Sequence, residues 1–252
     1  MSLLLRTYRL LTRGLEPLAP QVLAYRARKG KEDPARLDER LGHAGVGRPK
    51  GALVWMHAIS VGESLSLLPV IALLAERRPE LSVLVTTGTL TSAGMMAQRL
   101  PEGVIHQYAP VDTPGAVGGF LDHWRPSLGL FVESELWPNL ILEAQARDIP
   151  LMLASARITE HSAEGWKKRP ASARALLDAF ASILPQDDAS ASRIADLGGR
   201  TDGRVNLKLV GAPLPFDRKE FDRLSGAIGD RPVVVLASTH EGEEAALVQR
   251  LQ

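Results

Sequence analysis

Two carboxylates two residues apart, Glu133 and Glu135, stand beside Trp137 in the segment Val132–Asn139, directly after an apolar run. Burying a carboxylate without a partner is costly, so acids in this setting have either a structural or a chemical task. They accept N–H bonds from neighbouring loops, or they bind and move protons in a sugar site. A second segment, His57–Glu63, carries Ser60 and Gly62 in a tight turn leading to Glu63 and a helix. Free N–H groups at such a helix start attract phosphate or carboxylate. The same residues also read as a plain strand-to-helix turn with a serine cap. In Thr86–Ser92, four threonines and a serine surround Gly88. Their hydroxyls, Thr87 foremost, suit an anionic sugar, while Thr91 and Ser92 equally suit helix caps. Leu37–Gly42, containing Glu39, reads by itself as a charged helix end closed by glycine.

Elements must hold these residues. Short apolar runs at 52–58, 82–87, 104–108, 127–132, 150–154, 182–185 and 205–210 alternate with helical patterns at 63–77, 92–100, 113–124, 140–147, 172–181 and 189–197. That alternation predicts an α/β fold with a doubly wound, Rossmann-like parallel sheet. Ligands of such sheets bind outside the carboxyl ends of the strands, which is where the first three segments fall. A further helix is predicted at 217–228, then a buried strand at 232–237, the loop Ser238–Glu241 and a helix from Glu243. One strand and one helix cannot bury both faces. They begin a second domain that is cut short, or they add a unit to the first sheet. The expected division is residues 1–30, 31–212 and 213–252.

The chain has 252 residues, 45% of them hydrophobic and 23% charged, and its net charge is +1. The absence of cysteine removes disulfides, thiolate metal sites and thiol nucleophiles. Charge is uneven: residues 1–50 hold 11 Lys and Arg against 5 Asp and Glu. Within residues 3–25, Leu3, Leu4, Tyr8, Leu11, Leu15, Leu18 and Val22 recur at three- and four-residue steps, interrupted by Arg6, Arg9 and Arg13. This is an amphipathic helix, too interrupted to span a bilayer or act as a signal peptide. It lies on an anionic membrane surface or packs on the domain, and Pro17 and Pro20 should break it.

Taken together, these motifs resemble those of the lipid A Kdo (3-deoxy-D-manno-octulosonic acid) transferases. The resemblance is carried by Glu39-Arg40-x-Gly42, His57–Glu63, Glu133-x-Glu135-Leu136-Trp137-Pro138-Asn139, Ala154–Arg157, Asn206–Lys208 and Ser238–Glu244. It implies the N-terminal half of a GT-B glycosyltransferase, in which two Rossmann-like domains face a cleft. It also implies inverting transfer of Kdo from CMP-Kdo to a lipid A precursor at the cytoplasmic face of the bacterial inner membrane. The family's base carries over to Glu39, replacing the bland reading of that segment. Glu133 and Glu135 match the acceptor side, and Arg157 and Lys208 match basic positions suited to phosphate or the Kdo carboxylate. His240 and Glu241 match the start of the donor-binding domain. No cofactor, metal or nucleic acid is implied. Two departures stand out: Val205 replaces the family's glycine before Asn206-Leu207-Lys208, and Leu209-Val210 replaces an acidic residue. The resemblance implies a whole second domain after the Ser238–Glu244 segment, and with the sequence ending at Gln252 the chain is expected to be an acceptor-side domain, a fragment or a truncated product; the competing expectation is a non-catalytic acceptor-binding module.

Overall fold

The structure is a computed structural model that describes residues 2–134, 136–210, 216–245 and 248. The chain divides into two compact units, residues 1–211 and 212–252. The first unit opens with α1 (Leu3–Leu15), a 3₁₀ turn (Glu16–Leu18), α2 (Ala19–Arg28) and the short α3 (Leu37–Arg40). It continues through β1 (Leu53–His57), α4 (Val61–Arg77), β2 (Ser82–Thr87), α5 (Leu90–Arg99), β3 (Ile105–Tyr108), α6 (Pro114–Trp124) and β4 (Leu128–Val132). Then come α7 (Pro138–Gln145), β5 (Leu151–Ala156), α8 (Glu160–Lys167), α9 (Pro170–Leu177), β6 (Phe180–Pro185) and α10 (Asp188–Asp196).

The six strands form one parallel sheet in the order β3-β2-β1-β4-β5-β6. This is the doubly wound Rossmann-like topology, with its reversal between β1 and β4. All five residues of β1 are buried, as expected of a central parallel strand covered on both faces. Its alternate side chains feed different cores. Leu53 and Trp55 pack with Phe120, Trp124 and Phe131, while Val54 and Met56 pack with Leu67, Ile71 and Met96. Gly129 in β4 makes room for the first group, since a Cβ there would strike Leu151 and crowd Trp55.

Pro17 and Pro20 do interrupt the N-terminal segment: one lies in the 3₁₀ turn and the other in the first turn of α2. Polar contacts pin α1 to the sheet domain. Tyr8 donates to Asp112 at 2.9 Å, Asn139 donates to Thr12 at 3.0 Å, and Arg9 pairs with Glu143. Glu16 accepts the N–H groups of Gly115 and Ala116 at the start of α6. Leu5 is buried, yet Leu3, Leu10, Leu11 and Leu15 face outward. The segment therefore packs on the domain and also leaves an apolar face exposed. Among the described residues, no helix is long and apolar enough to cross a membrane.

Three expectations need correction. Residues 205–210 form no strand; they make a loop with a 3₁₀ turn at Leu207–Leu209, because the Leu207 N–H bonds to Ser155 Oγ at 2.8 Å instead of joining a ladder. Residues 232–237 are not a strand either: Val233–Leu236 are exposed, and no strand among the described residues pairs with them. The helix read at 172–181 stops at Leu177, and Phe180 already belongs to β6. The sequence reading also missed α8. In the second unit, α11 (Arg218–Ile228) forms as expected, with Asp217 capping the N–H groups of Lys219 and Glu220.

Candidate functional site

The reversal between β1 and β4 brings several of the selected residues together. Glu133, directly after β4, adopts a left-handed backbone with φ of 60°. Its N–H donates to Ala154 and its carbonyl accepts from the Arg157 N–H. The turned backbone leaves its buried carboxylate paired with the ammonium of Lys208. The 3₁₀ turn that carries Lys208 is held by Ser155, another residue with positive φ. Lys208 Nζ also lies 4.0 Å from where a Cβ on Gly62 would stand. Gly62, Glu133 and Lys208 thus meet beside the N-terminus of α4. Ser60 and Glu63 are used differently. The Glu63 carboxylate folds back to accept the Ile59 N–H and the Ser60 hydroxyl, both at 2.8 Å. Ser60 in turn caps the Glu63 N–H at 3.4 Å. An acidic side chain of the protein itself therefore occupies this helix start.

Glu39 lies on α3 against the end of β3. Arg36 grips it at both oxygens, each at 2.8 Å, and the Tyr108 N–H donates to Oε2 at 2.7 Å. Arg36 also donates to the His106 carbonyl and approaches His106 Nδ1 at 3.2 Å. Since guanidinium can only donate, Nδ1 is an acceptor and Nε2–H points to Thr87 Oγ1 at 2.9 Å. Burial, followed by the charge of Arg36, lowers His106 to about 4, so the ring is neutral at pH 7. A continuous network links Glu39, Arg36, His106 and Thr87.

A cavity of about 270 Å³ lies at the carboxyl ends of the strands, lined by Arg40, His57, Gly88, Asp112 and Trp137. Burial and then Arg40 depress His57 to about 3. Its Nδ1 is 2.9 Å from Thr86 Oγ1, which also accepts from Trp55 Nε1. Burial likewise lowers Arg40, opposed by the ion pair with Glu32. Asp112 is raised by burial although the N–H groups of Asn139 and Leu140 and the Tyr8 hydroxyl donate to it.

A larger groove of about 650 Å³ opens between α1 and α8, with Leu5, Glu133, Trp137, Arg157 and Trp166 on its walls. Trp137 belongs to both cavities. Glu135 lies outside the described residues. His240 and Glu241 belong to the second unit, where the His240 N–H donates to Glu243 at 2.9 Å. Arg36, His106 and Asp112 were missed from sequence. Only Asp112 left a signal, as an acid just beyond a strand and before the Thr113-Pro114 helix start.

The 3-deoxy-D-manno-octulosonic-acid transferase (kdotransferase) family model matches residues 35–210. A probable mitochondrial 3-deoxy-D-manno-octulosonic acid transferase of Arabidopsis thaliana is 34% identical, covering 96% of this chain and 56% of the relative. The transferase of Rickettsia bellii is 33% identical, covering 97% and 59%; that of Haemophilus influenzae is 32% identical, covering 85% and 51%. The chain spans about half the length of these curated relatives. A UDP-GlcNAc 2-epimerase from Neisseria meningitidis aligns at a TM-score of 0.46 and 15% identity, over 62% of this chain and 47% of that one. That likeness is too slight to bear on activity. The match to the family, over the residues that build the sheet and its carboxyl-end crevice, shows that the chain belongs to the 3-deoxy-D-manno-octulosonic acid transferases.

Proposed function

We propose that this chain is the acceptor-side half of an inverting GT-B glycosyltransferase that moves Kdo from CMP-Kdo to a lipid A precursor. Residues 31–212 bind the acceptor, and residues 213–252 lead into the donor-binding domain, with His240 and Glu241 at its start. One observation above others supports this reading. In a member of this family, motif residues distant in sequence gather at the carboxyl ends of one sheet: Glu39 and Thr87 in one network, Glu133 and Lys208 in another.

The acceptor hydroxyl attacks the anomeric carbon of Kdo as the bond to the CMP oxygen breaks, and Glu39 takes the hydroxyl proton. Among the described residues, Oε1 of Glu39 receives only the Arg36 Nε–H, whereas Oε2 already receives Arg36 Nη2 and the Tyr108 N–H. A carboxylate oxygen has two acceptor positions, so Oε1 retains one for the incoming hydroxyl. Arg36 and Tyr108 fix the direction in which that position faces. Glu133 and Glu135 orient the acceptor sugar. Lys208 neutralises Glu133, and with Arg157 supplies charge for phosphate or the Kdo carboxylate.

Residues 1–30 hold the cleft at the cytoplasmic face of the inner membrane. The outward leucines of α1 enter the interface, while Arg6, Arg13, Arg28 and Lys29 meet anionic headgroups. The test is transfer of Kdo from CMP-Kdo to a lipid A precursor by a protein that also carries the donor-binding half. Release of CMP without a glycosylated lipid product would refute the proposal.

A further inference from the structure

The groove between α1 and α8 has a composition that the transfer chemistry alone does not require. Its walls are largely apolar, formed by Leu4 and Leu5 of α1, Leu136 and Ile158, and Trp166 of α8. A volume of about 650 Å³ falls within the range of ligand clefts. Three basic side chains, Arg157, His161 and Arg169, line the same groove and are exposed. None of the three makes a side-chain hydrogen bond or ion pair with a described residue. The guanidinium groups of Arg157 and Arg169, without a partner among the described residues and beside an apolar trough, complement an anionic amphiphile with its chain in the trough and its charge at the rim. Trp137 walls both this groove and the crevice that holds Arg40 and His57. A molecule whose tail lies in the groove therefore has its head next to the crevice. A bulk bilayer lipid has no need of that adjacency, whereas a lipid that is to be glycosylated does.

We propose that this groove is a subsite for one acyl chain of the lipid acceptor, with Arg157 and Arg169 holding an anionic group of its head. The assignment of the chain to the acceptor rests on the transferase reading above; the groove's affinity for an anionic amphiphile does not.

Gly165 on α8 provides the probe. It lines the groove, and a Cβ there meets nothing within 4 Å, so Gly165→Leu fills the trough without straining the helix. Trp137 and Trp166 report occupancy, since the other two tryptophans, Trp55 and Trp124, are fully buried in the core. Dodecyl phosphate, used below its micelle concentration, should shift the tryptophan emission saturably. Dodecyl maltoside should bind more weakly, and inorganic phosphate should produce no shift. Gly165→Leu should weaken dodecyl phosphate binding at least tenfold. The double variant Arg157→Gln, Arg169→Gln should erase the preference for phosphate over maltoside. Equal binding to the parent protein and to Gly165→Leu would overturn the subsite. In the protein with its donor-binding half, Gly165→Leu should raise KM for the acylated acceptor at least tenfold and leave KM for a deacylated acceptor unchanged. If Gly165→Leu instead lost vesicle binding with KM unaltered, the groove would serve a bilayer lipid and the acceptor assignment would fall. Failure of Kdo transfer with intact dodecyl phosphate binding would refute only the transferase reading.

Discussion

Replacing Glu39 by glutamine tests both the proposed base and the geometry around it. In the parent protein three donors converge on the carboxylate: Arg36 Nε on Oε1, and Arg36 Nη2 with the Tyr108 N–H on Oε2. Glutamine has one acceptor oxygen. Placed at the Oε2 position it keeps two of the three bonds, but its amide nitrogen then faces the Arg36 Nε–H, donor against donor. One charge-assisted bond is lost, worth about 1.5–3 kcal/mol. The Arg36 guanidinium, whose side chain is 30% exposed, is partly resolvated and recovers some of that. The expected loss is about 2 kcal/mol, which for a unit of this size lowers Tm by roughly 4–8 °C. Transfer by the protein with its donor-binding half should fall much further, by about 10²–10⁴-fold, because the amide cannot accept the proton. Thermal unfolding and initial rates on the same preparation separate the two effects. Transfer within threefold of the parent would remove Glu39 as the base and move the role to Glu133 or Glu135. An unchanged Tm would mean that the grip of Arg36 on Glu39 does not contribute to stability.

Other consequences can be measured on the chain itself. It should co-sediment with anionic vesicles at low salt and be partly released at high salt, since each cation near the surface contributes ~1 kcal/mol. Leu11→Glu with Leu15→Glu should weaken sedimentation without changing Tm, as both residues face outward; indifference of both proteins to anionic vesicles would end the surface-docking proposal. His106 is held neutral in the fold, at about 4 against an ordinary 6.5, so the unfolded chain binds its proton first. Its stabilising contribution is complete above pH 6.5 and is lost as pH falls toward 4, by roughly 3 kcal/mol. Denaturant midpoints across that window should decline less steeply in His106→Asn, and parallel slopes would contradict the assignment. Gly42→Ala should destabilise by at least ~2 kcal/mol, seen as a lower denaturant midpoint, because φ is 87° and the new Cβ would overlap the Ala116 carbonyl.

The alternation of apolar runs with helical patterns made the parallel sheet legible before any coordinates, because strands buried on both faces leave continuous runs such as Ser82–Thr87. The residues after those strands were legible too, since a doubly wound sheet puts its ligands there. Hydropathy records burial, however, and not pairing. The apolar segments 205–210 and 232–237 looked like strands, but one folds around Ser155 and the other has no pairing neighbour in the described chain. Helix α8 escaped because Thr159–Lys168 is mostly polar, and one face of a short helix needs few apolar residues to dock. Site partnerships were hidden for a different reason. Arg36 and His106 stand 70 residues apart, and Lys208 finds Glu133 only because a left-handed backbone turns that carboxylate toward it. Residue type and strand position thus pointed to the segments at the carboxyl ends of the strands, but not to the side chains, such as Arg40 and Asp112, that line the crevice there. Which charges neutralise one another, and which arginines of the groove find no partner among the described residues, depends on distances that only the packed chain sets, since Coulomb and hydrogen-bond energies act over ångströms in space and not along the sequence.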